Sequence, residues 1–336
     1  MSHRFFSSTA SAVIMTAFLL PAAGGQTPAA PGASAAREEA WTHPRTKWGH
    51  PDLQGLWTNE TITPFERPEN IADKEFLTAE EAAEIEDRTA RRRAAADGTS
   101  PPGSVGAYNQ IWMDSGTKVL PGRQTSLVVD PPNGRVPTKP SAEATRDYNK
   151  AHAMDSYIHM SVWDRCITRG VPGSIFPAGY NNAYQILQTP EYVAILYEMI
   201  HDVRIIPLDG RPHVDEKIRL WMGDSRGRWE GDTLVVETAN HTSKGWIASN
   251  GASRRIKGIP QSEALHVVER FTRVSAGTIE YEVTIEDPAM YTRPWKVAMP
   301  LSRDDDYQMY EYACHEGNKA VELILGGARN EEKAAE

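Results

Sequence analysis

Apolar and polar residues alternate over much of the second half of the chain. Between residues 279 and 285 every second position is apolar, and the positions between them are Glu or Thr. This period of two is typical of a β-strand with one solvated face. Residues 265–272 alternate in the same way, and the turn residues 275–277 join the two segments, so together they predict a β-hairpin. Further strands are predicted at 192–200, 218–222, 233–238 and 295–301.

Short strands separated by turns, with no helix between them, predict a mainly β domain rather than a parallel α/β sheet. Because closure removes exposed strand edges, we expect an antiparallel β-barrel of the lipocalin or calycin type, with a sandwich as the alternative. A helix at 318–332 is expected to follow the barrel, and a helix at 154–163 to precede it.

The N-terminal third has a less regular pattern. Thr78 and Glu81 have the spacing of a capping box, which predicts a helix that ends near residue 93. Segments 97–106 and 130–140 are rich in turn-forming residues and predict loops, with a strand at 125–129 between them. We therefore expect residues 48–160 to be an irregular, partly helical segment that wraps around a barrel domain at 161–336 and contributes strands to it.

The first 25 residues have the composition of a signal peptide. Arg4 supplies the positive start, residues 12–20 are apolar, and residues 21–25 include small residues suited to cleavage near Gln26. The apolar run is shorter than the roughly 20 residues that span a bilayer, which favours a cleaved signal peptide. A segment that is retained as an N-terminal membrane anchor is the alternative. Cleavage predicts a periplasmic or secreted protein with no membrane span, in which residues 26–47 form a flexible linker.

The chain has two cysteines, Cys166 and Cys314. In an oxidising compartment, two thiols within one domain usually form one structural disulfide. Such a bridge would join segments that are rich in charged and imidazole side chains, so it would also hold a site together.

The net charge is −9, and about −10 once the predicted signal peptide is removed. An acidic chain of this kind is a poor partner for nucleic acid. We take residues 91–93 as the sole basic run, and it lies among acidic residues. We therefore predict a small-molecule ligand or substrate and no nucleic acid, and leave the oligomeric state open.

The strongest candidates for catalysis follow the apolar run at 193–200. In a strand, His201 would face away from Asp202 and Arg204, so one of these sets would face the barrel interior. An inward His201 would be an acid or base with a tunable pKa. An inward Asp202–Arg204 pair would bind a polar substrate group, and a charge cluster on the surface is the alternative.

The second candidate pair lies beside the predicted disulfide. His315 and Glu316 directly follow Cys314 and could supply a general acid and a general base. A salt bridge of Glu316 with a nearby arginine is the structural alternative. Six further residues offer phenol, amide, indole, imidazole or guanidinium groups for substrate binding: Tyr180, Asn181, Asn182, Trp221, His266 and Arg270.

No sequence pattern indicates a metal or a cofactor. His201, His213, His266 and His315 could converge from different strands, but none of them has the close spacing of a metal-binding motif. Segment 223–227 matches the Gly-x-Ser-x-Gly string, which we interpret as a tight turn because no helix is predicted after it. The chain also lacks a dinucleotide-binding fingerprint.

Several segments resemble a family of exported bacterial proteins. They include 205–212 (IIPLDGRP), 223–236 (GDSRGRWEGDTLVV) and 312–318 (YACHEGN), and the similarity extends over residues 48–333. The resemblance implies export but carries no activity with it. Residues 55–57 (GLW) also resemble the Gly-x-Trp sequence that opens a lipocalin barrel.

Two functional hypotheses follow. The first is an exported, cofactor-independent enzyme that uses acid–base chemistry on a small organic molecule in a barrel pocket. A lyase or isomerase is preferred to a hydrolase because no nucleophile or metal motif is present. The second is a periplasmic, lipocalin-like carrier that binds an apolar or aromatic ligand in the same lumen. A protein-interaction module is a third possibility.

Overall fold

The computed structural model describes residues 41–96, 114 and 116–336. The predicted signal peptide, most of the predicted linker and the predicted loop at 97–106 lie outside these residues. The strands are β1 (Gly55–Thr58), β2 (Val128–Asp130), β3 (Ala183–Gln188), β4 (Tyr192–Tyr197), β5 (Val203–Pro207), β6 (Asp224–Glu230), β7 (Thr233–Ala239), β8 (His266–Ser275), β9 (Thr278–Glu286) and β10 (Trp295–Arg303). The helices are α1 (Ala79–Ala96), α2 (Pro140–Ala151) and α3 (Ala320–Ala335).

The strands form one antiparallel sheet that curls into a barrel. Their order is β5-β4-β3-β1-β10-β9-β8-β7-β6, and β2 adds to β10 outside this path. Apart from β2, the strands therefore follow one another around the barrel in chain order, with β1 between β3 and the last strand, β10. The predicted antiparallel barrel, its partly helical N-terminal segment and its C-terminal helix are confirmed.

The two ends of this sheet meet as parallel strands. Three antiparallel ladders lead from β1 to β5, through β3 and β4. Five lead from β1 to β6, through β10, β9, β8 and β7. Both numbers are odd, so β5 and β6 each run opposite to β1 and parallel to each other. Within residues 116–336 no backbone ladder joins them. We call this boundary between β5 and β6 the seam.

Side chains close the seam. Arg204 of β5 donates from Nε to the Ser225 Oγ of β6 at 2.8 Å and from Nη2 to the Thr238 Oγ1 of β7 at 2.6 Å. The same Nη2 lies 2.5 Å from the Glu269 carboxylate on β8. Gly227 leaves space for β5, because a Cβ there would lie 2.7 Å from Ile206. One arginine therefore links four strands across the unpaired boundary.

Large side chains fill the barrel interior. Alternate residues of every long strand are buried, as the pattern of β8 and β9 predicts. Trp57, Phe271, Tyr281 and Trp295 are each at most 1% exposed. Near one end, the Arg273 guanidinium lies 5.5 Å from the Trp57 ring. Because a barrel of about eight strands has room for packed side chains or one small ligand, this filling leaves the interior occupied by the protein itself.

Two helix predictions have opposite outcomes. The capping box is confirmed, because the Thr78 N–H donates to Glu81 at 2.8 Å and the Glu81 N–H donates back at 3.2 Å. The helix predicted at 154–163 is wrong. Only Tyr157–His159 forms a single 3₁₀ turn, and the helix in this region is α2, which begins at Pro140. Proline favours the first turn of a helix, a signal that the loop prediction for 130–140 overlooked.

Two strand predictions and one turn prediction also need correction. The strand predicted at 192–200 ends at Tyr197, and the backbone turns at Ile200 and His201, which both have positive φ. The strand predicted at 218–222 is reduced to an isolated bridge from Leu220 to His241. Segment 223–227 is not a tight turn, because β6 begins at Asp224. Gly227 of this segment leaves space for β5 at the seam and is not part of a turn.

We predict that the Arg204–Glu269 pair is strongly coupled in stability. Arg204→Met should lower the free energy of unfolding by about 3–5 kcal/mol, because it leaves the buried Glu269 carboxylate without its partner. Arg204→Met combined with Glu269→Gln should cost clearly less than the sum of the two single changes, as measured by guanidinium unfolding. The glutamine keeps an acceptor for the Tyr281 hydroxyl, which donates to Glu269 at 2.9 Å.

The exposed pair of Arg293 with Asp130, at 2.7 Å, is the matched control. Its coupling should be about 1 kcal/mol or less, because solvent screens it. Equal coupling energies for the two pairs would contradict the role of Arg204 at the seam.

Candidate functional site

The fold brings two of the predicted catalytic residues together on the outer surface. The His201 and His315 rings lie 5.3 Å apart, centre to centre. His201 is exposed in the turn between β4 and β5, and His315 is exposed next to the disulfide. Glu316 is exposed as well. The alternative in which His201 faces the barrel interior is therefore wrong, because the strand ends before it.

Arg204 faces the interior, but not with the predicted partner. Asp202 precedes β5 and is half-buried, and its N–H donates to the Ile200 carbonyl at 2.7 Å. The partner of Arg204 is Glu269, which lies on the opposite side of the seam. An Asp202–Arg204 ion pair inside the barrel is therefore wrong. Arg204 is 4% exposed and part of the barrel's own packing.

The six predicted substrate-binding residues are spread over several places. Asn182 is buried and donates to Asp114 at 2.7 Å, which makes it a packing residue of its loop. Asn181 has a positive φ in the same loop, and the Tyr180 ring lies 6.2 Å from Trp163.

The other three do not line the barrel interior. Trp221 is half-buried in the segment before β6. His266 bonds to Glu237 at 2.7 Å, and Arg270 to Glu230 at 2.9 Å. Both therefore belong to the outer face of β8, where cross-strand charge pairs form at the surface.

The predicted disulfide between Cys166 and Cys314 is confirmed, with Cα atoms 5.6 Å apart. Cys166 is 2% exposed, so the bridge attaches the C-terminal segment to a buried part of the loop that follows α2. Both flanking segments contribute to cavities outside the barrel.

One of these cavities, of about 630 Å³, lies between α2, the loop at 246–258 and α3. We call it the basic cleft. Five basic side chains line it, together with apolar side chains that include an indole: Arg146, Lys150, Arg254, Arg255, Lys257, Met154, Trp246 and Ile324. Asp147 and Asp164 are its acidic residues, so basic groups outnumber acidic ones in a chain of net charge −9.

Two of the five basic groups serve the structure. Arg255 pairs with Glu66 at 2.6 Å and also with Glu143. Arg146 pairs with Asp147 at 2.8 Å, and this hydrogen bond lowers the pKa of that carboxyl. These bonds fix the wall of the cleft between α2 and the loop.

The other three basic groups are available to a ligand. Among the described residues, Lys150, Arg254 and Lys257 form no ion pair, and all three are exposed. Arg254 has a φ of 46°, a conformation that costs a residue with a side chain about 1–3 kcal/mol. Strained residues of this kind cluster at active sites and ligand-binding sites.

The sequence interpretation overlooked this cleft. Residues 91–93 are not the only basic run, since residues 254–257 (RRIK) form a second one close to Trp246. An indole beside three cations is a signal that could have been noticed. The contribution of α2 could not, because the sequence predicted a loop at 130–140 and no helix over Pro140–Ala151.

Histidine positions give no converging metal site. His152 and His159 lie 5.9 Å apart, ring to ring, but His152 bonds to Asp155 and His159 to Asn149. Over the described residues, no group of three or more His, Cys, Asp or Glu side chains has the geometry to hold an ion.

Comparisons with known proteins add little. No family model matches the chain, and no curated protein matches it. Among solved structures, it is similar to the crystal structure of a variant of the fluorescent protein UnaG, with 12% identity over 36% of this chain and 69% of that one. The TM-score is 0.21, which is too low to indicate a shared fold. The barrel assignment therefore depends on the strand order alone.

None of the helices within the described residues is both long enough and apolar enough to cross a bilayer.

We predict that His241, close to the seam, makes stability depend on pH. Burial, and after it the charge of Arg204, lowers the pKa of His241 from 6.5 to about 3. Below pH 6.5 the unfolded chain takes up a proton there that the folded protein does not, so stability falls as the pH falls. The stability advantage of the wild type over His241→Gln should shrink by about 1.4 kcal/mol per pH unit below 6.5.

Urea unfolding of both proteins between pH 7 and pH 4 measures this difference. The general effect of carboxylate protonation cancels, because both proteins share it. A difference that stays constant over this range would show that His241 is charged or solvated in the folded protein.

Proposed function

We propose that this protein binds a small organic anion with an apolar body in the basic cleft. The observation that carries the proposal is the combination of Lys150, Arg254 and Lys257, which have no ion pair within the described residues, with the half-buried indole of Trp246. Ligand sites are typically concave and mostly apolar, with a few placed polar groups. The cleft combines apolar side chains, such as Trp246 and Met154, with these cations.

The charge of the cleft selects the class of ligand. A carboxylate, sulfonate or phosphate would gain charge-assisted hydrogen bonds from guanidinium and ammonium groups. Trp246, Met154 and Ile324 offer apolar surface for a ring or a short alkyl chain. An aromatic or medium-chain carboxylate meets both requirements, whereas a neutral or cationic molecule meets only the second.

The proposed ligand site lies outside the barrel and not in its lumen. A carrier of the lipocalin type would hold its ligand in the lumen, but Trp57, Phe271, Tyr281 and Trp295 occupy that space. The cleft lies outside the barrel, on loops and helices that the barrel supports. Loops on a rigid scaffold are where binding residues are most often found.

We further propose that the protein is exported and works in the periplasm or outside the cell. The disulfide supports this, because disulfides form and persist in oxidising compartments. The signal-peptide composition of residues 1–25 and the resemblance to exported bacterial proteins point the same way.

We predict that naphthoate binds to the purified protein and that its neutral alcohol analogue binds at least tenfold more weakly. The difference reflects the lost charge-assisted bonds, since tenfold corresponds to about 1.4 kcal/mol. Isothermal titration calorimetry measures both affinities. The affinity for naphthoate should also fall as salt rises, because the cations of the cleft are exposed.

The double variant Arg254→Gln, Lys257→Gln should bind naphthoate at least tenfold more weakly than the wild type. Arg92→Gln, Lys217→Gln removes the same charge from exposed positions outside the cleft and is the matched control. If both variants lost the same affinity for naphthoate, the loss would come from the change in net charge and not from the cleft. Equal affinity for the acid and the alcohol would reject the anion site.

The second candidate is the acid–base enzyme of lyase or isomerase type. The contact between His201 and His315 favours it, because two imidazoles 5.3 Å apart could act as a proton donor and a proton acceptor. Both imidazoles of this pair are exposed on the surface. The acid–base enzyme is therefore the weaker of the two functions.

If the enzyme hypothesis holds, the protein should catalyse exchange of carbon-bound hydrogen with solvent deuterium. Proton NMR of a panel of small carbonyl and hydroxy acids in heavy water detects such exchange. His201→Gln and His315→Gln should each abolish it, whereas His266→Gln, on the outer face of β8, should not. Exchange that survives both changes, or no exchange with the wild type, would remove this candidate.

A further inference from the structure

A second cavity, of about 590 Å³, opens beside the disulfide and contains a different set of side chains. We call it the aromatic recess. Three aromatic residues and two carboxylates account for most of its lining: Trp163, Tyr180, Tyr312, Asp164 and Glu311. Ala313, Cys314, Asn318 and Ala320, the first residue of α3, complete it. None of its lining residues is Lys or Arg.

The recess therefore has the opposite charge to the basic cleft. Asp164 borders both cavities, and neither Asp164 nor Glu311 forms an ion pair with any described residue. The amino end of α3 also borders the recess and brings roughly half a positive charge. The Asn318 side chain accepts a hydrogen bond from the Ala320 N–H at 2.8 Å, so one free N–H of this helix end already has a partner. The two carboxylate charges outweigh the remaining partial positive charge of the helix end.

The aromatic rings present faces on which a cation could rest. The Trp163 and Tyr180 rings lie 6.2 Å apart and are tilted by 50°, so they form two sides of a corner. Both are half-buried, as is Tyr312, and each therefore keeps part of its surface open. A cation over the face of Trp or Tyr within about 6 Å is attracted by the ring quadrupole, and Trp is the best of the aromatic residues.

A covalent bridge and a hydrogen bond hold two parts of this lining in place. The disulfide attaches the segment of Glu311 and Tyr312 to the segment of Trp163 and Asp164. The Ser161 hydroxyl donates to Asp164 at 2.7 Å and orients the carboxylate. A covalent bridge and a hydrogen bond behind the lining are what preorganised sites require.

We propose that the aromatic recess binds a small alkylammonium cation, with a quaternary ammonium such as choline as the best fit. Its rings would contact the methyl groups, and Asp164 and Glu311 would balance the charge without needing an N–H donor from the ligand. An ordinary metal cation would gain little from three aromatic rings, and an anion would be repelled by the carboxylates. The inference is independent of the function proposed for the basic cleft.

The test compares choline with its uncharged isostere, in which carbon replaces the quaternary nitrogen. The two have nearly the same shape, so a difference in affinity reports the charge. Titration followed by Trp fluorescence and by proton NMR of the ligand should show choline binding at least tenfold more tightly. Equal affinities, or no binding of choline, would overturn the proposal.

Variants identify the place of binding. Trp163→Leu and the double variant Asp164→Asn, Glu311→Gln should each weaken choline binding at least tenfold, whereas Trp163→Phe should retain part of it. Tyr310→Leu and Glu316→Gln are controls in the same segment, because both side chains are exposed and neither borders the recess. Far-ultraviolet circular dichroism and the melting temperature verify that each variant is folded. Unchanged choline affinity in folded Trp163→Leu would overturn the assignment to this recess.

The quaternary ammonium group occurs both in free choline and in the headgroup of phosphatidylcholine. Sedimentation with phosphatidylcholine vesicles distinguishes the two sources. Choline binding without vesicle binding supports the free cation, and vesicle binding that choline displaces supports the headgroup as the source of the same ammonium group. Vesicle binding that choline does not displace occurs at another surface, so it also supports the free cation as the ligand of the recess.

Discussion

The parallel contact between β5 and β6 is the constraint on which the rest of the structure depends. Nine strands whose neighbours are all antiparallel cannot close with a ninth antiparallel pair, so the two ends of the sheet meet in parallel. Backbone hydrogen bonds do not join these ends within residues 116–336, and the guanidinium of Arg204 joins them instead. This arrangement requires a buried carboxylate at Glu269 and a glycine at position 227, where β5 packs against the backbone of β6. The polar groups that a lumen-binding protein would offer to a ligand are thus used by the barrel itself.

A filled barrel acts as a support for sites outside it. The basic cleft and the aromatic recess are both assembled from loops and helices beyond the strands, and the disulfide holds the C-terminal segment where both can form. The two cavities share Asp164, yet cations outnumber carboxylates in one, whereas the other has carboxylates and aromatic rings but no Lys or Arg. The two proposed sites therefore lie next to each other, with Asp164 on the border between them.

The sequence predicted those features that depend on neighbours along the chain. Alternation gave the hairpin of β8 and β9, and the Thr78 and Glu81 spacing gave the start of α1. It could not predict the partner of Arg204, because Glu269 is brought to it by closure of the barrel rather than by local pattern. It placed His201 in a strand because an apolar run continues to Ile200, whereas positive φ angles end that strand early. The basic cleft combines three distant segments, so its composition becomes visible only after folding.

We propose that ligands bind outside the barrel, because its interior is occupied by its own side chains. A crystal structure with a bromine-labelled aromatic carboxylate is the sharpest test, since the anomalous signal of bromine reports its position without prior assumptions. We expect a peak in the basic cleft, beside Trp246 and within reach of Arg254 or Lys257. A peak inside the barrel, next to Arg204 and Glu269, would contradict it and restore a lumen site of the lipocalin kind.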